Sequence, residues 1–295
     1  MIAVDKRAFV EATPIAAKKI RIFSREYNTQ IEFSLDDVPD HLGVFKPFWT
    51  IISQVTKRAR LDQGVELRIW SALPPGAGMG SSAAVSVAAT AAIYLCFGLE
   101  PNKDEIFAVS FEAEKTVHGT PSGIDNAIAT YGGALLFKRK KITQIKLTKR
   151  IPFVIGDTGV KRSTGEWIAR VRMRRERQKP IVDAIIKTIG KISIKGSMLL
   201  KEGRLKDLGE LMDINQGLLE ALGVSTEALN RLILAARNAG AYGAKLTGAG
   251  GGGCMVALSS QDGIKRVAKG IRGAGGKPIP ANVSLEGVKI EEKQR

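Results

Sequence analysis

Short runs of alternating apolar and polar residues open the chain, at Ala8-Phe9-Val10, Ile20-Arg21-Ile22-Phe23 and Ile31-Glu32-Phe33. A period of two predicts antiparallel strands joined by turns. The period then lengthens: between Gly43 and Arg60, the positions Val44, Phe48, Ile51, Ile52 and Val55 form a helical stripe. Leu67-Arg68-Ile69-Trp70 returns to strand. The helix expected from about Ser82 to Phe97 is apolar on nearly every side and belongs at the centre of its domain. After it come a helix over Lys103–Val117, a break at His118–Gly123, and a short helix from Ile124 ended by Gly132 and Gly133. Strands follow at Leu135–Phe137, Ile142–Leu147 and Phe153–Asp157.

From Ser163 to Asn238 the pattern is mostly helical. Leu205, Leu208, Leu211, Met212, Leu218, Leu219 and Leu222 recur at helical steps, as a packing face does. Strands at Gly243–Leu246 and Cys254–Leu258 flank a glycine run, a helix follows near Ile264–Ile271, and Ala281–Ile290 reads as edge strands. Strands dominate early and helices late, without internal repeats or a long linker. The expected fold class is α+β, as two units, 1–150 and 151–295, that share an interface.

One stretch organises the chemistry: Pro74–Ala84, PPGAGMGSSAA. Gly76, Gly78 and Gly80 allow a tight turn and close approach of backbone to a ligand, and Ser81 and Ser82 stand where a helix begins. The first N–H groups of a helix lack internal partners and carry the positive end of its dipole, so phosphate is the natural occupant. A glycine turn with a serine cap is the plainer reading. No lysine follows the last glycine, so the P-loop pattern fails. Two further segments weigh against the plainer reading: HGTPSGID, ending at Asp125, and LTGAGGGG, ending at Gly253. Phosphoryl transfer needs donors around the phosphates, oxygen ligands for Mg²⁺, and a group that orients or deprotonates the attacking hydroxyl. Backbone N–H groups from Gly78 to Ser82, a serine hydroxyl with a carboxylate such as Glu114, and Asp125 are candidates for these parts. Glu114 late in a helix reads equally as a solvated residue, and Asp125 before Asn126 as a cap. The run Gly248–Gly253 contains a formal GxGxxG. A strand rather than a helix follows it, so it fits a close-approach surface beside a ligand better than a dinucleotide fingerprint.

Composition narrows the class. With 295 residues, 44% of them hydrophobic, the chain can bury a substantial core in about two domains. Two cysteines, Cys96 and Cys254, offer no disulfide framework and suit a reducing cytoplasm, and His41 and His118 alone do not make a zinc site. The longest apolar run, Ala83–Phe97, is short for a bilayer span of ~20 residues, and Lys6 and Arg7 precede any long apolar region, so neither a membrane segment nor a signal peptide is expected. The net charge of +16 admits a nucleic-acid surface, an anionic small substrate or a charged, heat-adapted exterior. Its clusters at Lys138–Lys141 and Arg170–Arg177 lack interleaved aromatic residues, which favours a solvated face and no nucleic acid.

PPGAGMGSSAA, HGTPSGIDN and KLTGAGGGGC, in this order and separation, resemble the motifs of the GHMP small-molecule kinases. The segment Glu114–Asn126 and DTGVKRST at Asp157–Thr164 are most similar to the mevalonate kinases of archaeal type. The resemblance covers nearly the whole chain. It implies a two-domain GHMP kinase fold, with an N-terminal ribosomal-S5-domain-2-like α/β domain that binds ATP and a C-terminal ferredoxin-like α+β domain. It implies that Pro74, Pro75, Gly76, Ala77, Gly78, Met79, Gly80, Ser81, Ser82, Ala83 and Ala84 bind the ATP phosphates, with Gly248, Ala249, Gly250 and Gly251 closing over them. Ser82 and Glu114 would hold Mg²⁺, Asp125 would be the catalytic base or orient the C5 hydroxyl of mevalonate, Arg162 would pair with the substrate carboxylate, and Thr164 would line the same pocket. The family opens with a strand and a PGK…GEH segment that this chain does not contain. The lysine near Asp125 and part of the mevalonate pocket are therefore expected to be absent from this polypeptide. A different GHMP kinase or related ATP-dependent decarboxylase, and a catalytically dead nucleotide-binding relic, stay open beside the mevalonate reading, as does a homodimer.

Overall fold

In the computed structural model, residues 1–25, 28–59, 63–72, 79–118, 121–138, 141–147 and 151–291 are described. The opening alternation builds β1 (Ala8–Ile15), β2 (Lys19–Ser24) and β3 (Thr29–Ser34), which join β4 (Gly64–Ser71) in a four-stranded sheet of order β1-β4-β2-β3. β2 and β3 form the expected antiparallel hairpin, with Ile20 opposite Phe33 and Ile22 opposite Ile31. β1 does not continue that meander. It pairs antiparallel with β4, which runs parallel to β2. A parallel neighbour needs a crossover, and α1 (Lys46–Ala59) lies within it. Phe48, Ile51, Ile52 and Val55 of its stripe pack against Ile20, Ile22, Val65 and Leu67 of the sheet. Val44 departs from the expected stripe and is 51% exposed. It sits in a 3₁₀ turn, Gly43–Phe45, whose tighter pitch turns Phe45 inward instead.

The all-round apolar helix is α2 (Ser81–Cys96), and it is central as its composition demands. Val85, Ala89 and Ile93 enter the sheet core, while Val87 and Ala91 pack with Ile106 of α3 (Lys103–His118) on the other side. After α4 (Ile124–Tyr131), the hairpin of β5 (Ala134–Lys138) and β6 (Lys141–Ile145) leads to the second sheet. That sheet is antiparallel, in the order β10-β7-β9-β8, from β7 (Pro152–Asp157), β8 (Gly243–Leu246), β9 (Cys254–Leu258) and β10 (Lys277–Asn282). Val154, Leu246, Met255 and Ala257 on one face meet α8 (Glu227–Asn238) and α9 (Ile264–Gly273). Phe153, Ile155 and Leu258 on the opposite face meet Leu200 of α6 (Lys179–Glu202) and Leu208 and Met212 of α7 (Leu205–Ala221). Between β7 and α6, α5 (Thr164–Arg177) buries no residue. Its arginines are a solvated face, with Arg175 paired to Asp183 at 2.5 Å.

The tail departs from the sequence pattern. The edge strand occupies Lys277–Asn282 rather than Ala281–Ile290. It tolerates Pro278 and Pro280 because an outer strand has no ladder partner on one side. Beyond it the chain crosses to the first unit: the N–H of Gly133 donates to the Ser284 carbonyl at 2.8 Å, that of Val288 to the Thr130 carbonyl at 3.2 Å, and Arg7 Nη1 to the Gly287 carbonyl at 3.0 Å. Gly132, with φ +75°, makes this crossing possible, since a Cβ there would overlap the backbone of Glu286 and Gly287. Gly132→Ala is expected to lower the unfolding free energy by about 2 kcal/mol or more in a denaturant titration. An unchanged midpoint would show that the tail does not hold Gly132 in place.

Candidate active site

Gly80 begins the site. Its φ of +73° is left-handed, and it caps α2, the helix running from Ser81. Neither serine caps the helix. Ser82 Oγ donates to Glu114 Oε1 at 2.8 Å, and Ser86 Oγ donates to the same oxygen at 3.0 Å. Glu114 is only 4% exposed, so the solvated-helix reading of this residue fails. The first turn of α2 holds no acidic residue, so nothing within it offsets the positive end of the helix. Pro74, Pro75, Gly76, Ala77 and Gly78, expected to cradle phosphate, lie outside the described residues, while Met79 and Ala84 line the cleft beside Gly80.

Asp125 is brought to the same point by a second left-handed glycine. Gly123, with φ +79°, caps α4 and places Asp125 in the first turn. The helix has no side-chain cap, so Asp125 is not the capping residue of the plainer reading. A Cβ on Gly80 would lie 3.4 Å from both Cβ and Cγ of Asp125. The start of α2 thus faces the Asp125 side chain across about the width of a methyl group. A methyl group at position 80 would fill that gap and rest on Asp125, in a left-handed conformation that only glycine adopts readily.

The second unit supplies the facing wall. Arg162, between β7 and α5, donates from Nη1 to the Gly250 carbonyl at 2.9 Å, and a Cβ on Gly248 would lie 2.6 Å from its Nη2. Its Nε is buried without a hydrogen-bond partner. Burial pulls the guanidinium below its ordinary pKa, opposed in part by Cys254. Gly248 and Gly250–Gly253 all have positive φ, which explains why this loop is glycine. The N–H of Gly251 donates to the Val224 carbonyl at 2.8 Å and that of Gly253 to the Val160 carbonyl at 2.9 Å. Gly248 and Ala249 line the cleft, but Gly250 and Gly251 are packed inward against Val224 and Trp167. These two act on the site by holding Arg162 and the loop. Thr164, the first residue of α5, also lines the cleft.

The cleft measures about 1770 Å³ and is bordered by both units. The cavity runs on from Gly80 and Asp125 along α2 to Cys96 and beside β1, beyond the roughly 300–1,000 Å³ that one small ligand takes. Among the described residues no group of three or more His, Cys, Asp or Glu side chains could hold a metal ion. Ser82 and Glu114 nevertheless converge as two oxygen donors, which suits a hard cation that completes its shell with phosphate and water. Among the lining residues without a role in the sequence reading are Asn215 on α7 and Lys245 on β8. The alternation of β8 was the available signal, since it sends Lys245 to the face opposite Ala244 and Leu246.

Two family models match, GHMP kinases N terminal domain over residues 47–133 and GHMP kinases C terminal over residues 198–277. The chain belongs to the GHMP kinases. Within that family the likeness runs to mevalonate kinases. The mevalonate kinase of Pyrococcus furiosus is 40% identical over 306 residues, covering 98% of this chain and 91% of that protein. The Methanococcus jannaschii mevalonate kinase superposes with a TM-score of 0.85 at 26% identity, covering 96% of this chain and 90% of the other. The L. major mevalonate kinase in complex with R-mevalonate superposes with a TM-score of 0.80 at 26% identity, over 97% and 89% of the two chains.

Gly80→Ala places a methyl group against Asp125 and forces a left-handed alanine. Its kcat/KM for ATP turnover is expected to fall at least about tenfold, with the fold retained by circular dichroism. Unaltered kinetics would mean that the Gly80–Asp125 approach is not part of the site.

Proposed function

We propose that this chain transfers the γ-phosphate of ATP to the C5 hydroxyl of mevalonate, in the cytoplasm. The observation that carries this reading is the approach of Asp125 to the N-terminus of α2 at Gly80. It puts a proton acceptor beside the place where unpaired N–H groups would hold phosphate oxygens. The first unit, 1–150, would supply the phosphate side of the site, with Pro74–Ala84 around the polyphosphate. The second, 151–295, would supply the acceptor wall, with Gly248 and Ala249 at its edge. Arg162 holds the acceptor's carboxylate, for which its planar fork and unpaired Nε are suited, and Thr164 borders the same space. Asp125 orients the C5 hydroxyl and takes its proton as the oxygen–phosphorus bond forms and the bond to ADP breaks. No protein nucleophile is needed, so transfer is direct and in line. Ser82 and Glu114 would hold Mg²⁺, which when bound neutralises charge on the phosphate oxygens.

The test is ADP release from ATP with magnesium over a panel of mevalonate, phosphomevalonate, galactose and homoserine. Mevalonate is expected to support turnover. Asp125→Asn should lower kcat by at least about 10²-fold with little change in KM. Preference for another acceptor, or an Asp125→Asn variant with full kcat, would contradict the proposal.

A further inference from the structure

Lys245 has no place in the reaction above, yet it sits on the acceptor wall. Its strand neighbours Ala244 and Leu246 are buried in the core beneath α8, so Lys245 points the other way, onto the cleft and beside Val256, its register partner on β9. Thr247 follows on the same face, and Gly248 touches Arg162. Lys245 and Gly248 stand three residues apart, at most roughly 10 Å of extended chain, which lets the long side chain of Lys245 and the guanidinium of Arg162 reach one ligand.

Among the described residues, Lys245 Nζ has no carboxylate partner. It donates to the Leu246 carbonyl at 2.6 Å. The amino group of Met1, lowered in pKa by burial and by Lys245, supplies no counter-charge. Burial pulls the lysine ammonium down to about 8. Such a group destabilises a fold unless a counter-charge arrives, and an apolar residue of similar length would serve packing better. The same wall offers an unmatched acceptor. On α7, Asp213 accepts from the N–H of Ala244 at 2.8 Å and Gln216 from that of Leu246 at 2.9 Å, capping the edge of β8. Asn215, between them, lines the cleft with its Oδ1 buried and unpartnered.

We propose that Lys245 is a second cation of the acceptor site, sharing with Arg162 the carboxylate of a dihydroxy acid whose second hydroxyl, the one not phosphorylated, meets Asn215 Oδ1. The proposal rests on the reading that the acceptor is mevalonate, and it adds the residue that sets acid specificity. Lys245 thereby costs stability in the empty protein and returns it as substrate affinity.

The full chain with Lys245→Met and Lys245→Arg tests this by melting temperature, by the thermal shift that sodium mevalonate causes without nucleotide, and by steady-state kinetics. Lys245→Met is expected to melt higher than wild type when empty, to lose the mevalonate-induced shift, and to raise KM for mevalonate at least about tenfold while kcat and KM for ATP stay within about threefold. Lys245→Arg should keep KM for mevalonate within about threefold of wild type. An unchanged mevalonate shift and KM in Lys245→Met would overturn the proposal, as would a lower melting temperature with kcat lost alongside both KM values, the pattern of a structural lysine. If wild type prefers another acid and Lys245→Met weakens it likewise, the mevalonate reading fails and the subsite stands. A preferred acceptor without an anionic group would overturn both.

Discussion

At Gly80 the start of α2 faces Asp125 so closely that a methyl group there would touch its side chain, and the architecture of the first unit serves that approach. It requires α2 to start and α4 to start at the same place in space, from positions well apart in the chain. Both helices begin after a left-handed glycine with no side-chain cap, so neither start is crowded by a capping side chain. α2 is held by burial on two faces and cannot shift without opening both the sheet core and its packing on α3. The hydroxyls of Ser82 and Ser86 fasten its first turns to Glu114. Dipole, carboxylate and hydroxyl donors are thus fixed relative to one another before any ligand arrives, which is the preorganisation that electrostatic catalysis depends on.

The opposite wall is built by close backbone approach. The positive-φ glycines let residues 248–253 fold back on Val160, Val224 and Trp167, and this presents Arg162 at the cleft with its Nε unmatched. The two walls belong to different sheets. They are tied by the N-terminal residues, where the Ala3 N–H donates to the Gly133 carbonyl at 2.8 Å and the Asp5 N–H to the Asn282 carbonyl at 3.0 Å, and by the tail crossing back over α4. Cleft geometry therefore depends on contacts between chain segments that are remote in sequence.

That dependence explains what could be read from the residues alone. Local periodicity determined the helix at Lys46–Ala59, the hairpin Ile20–Phe33 and the central α2, because each buries a face set by its own spacing. The pairing of β1 with β4 could not be read, since alternation says which face is buried but not which strand lies alongside. The tail was misplaced for a related reason: Pro278 and Pro280 argue against a strand unless it is known to be an edge. Asp125 and Glu114 were candidates by motif and resemblance, but only the fold shows that Glu114 is buried on two serines and that Asp125 does not cap its helix. Gly250 and Gly251 were expected to close over the phosphates, and only the fold shows that they also pack against Val224 and Trp167. Lys245 was visible in KLTGAGGGGC but silent, because a lone lysine in a short strand is ordinarily solvated, and only its neighbours' burial turns it toward the cleft.

The most direct measurement is a crystal structure of the chain with a non-hydrolysable ATP analogue and mevalonate bound together. The C5 hydroxyl oxygen should lie within hydrogen-bond reach of the Asp125 carboxylate, about 2.6–3.2 Å, with the γ-phosphate at the N-terminus of α2 and in line with that oxygen. A complex with the C5 hydroxyl turned away from Asp125, or the γ-phosphate bound elsewhere in the cleft, would contradict the mechanism.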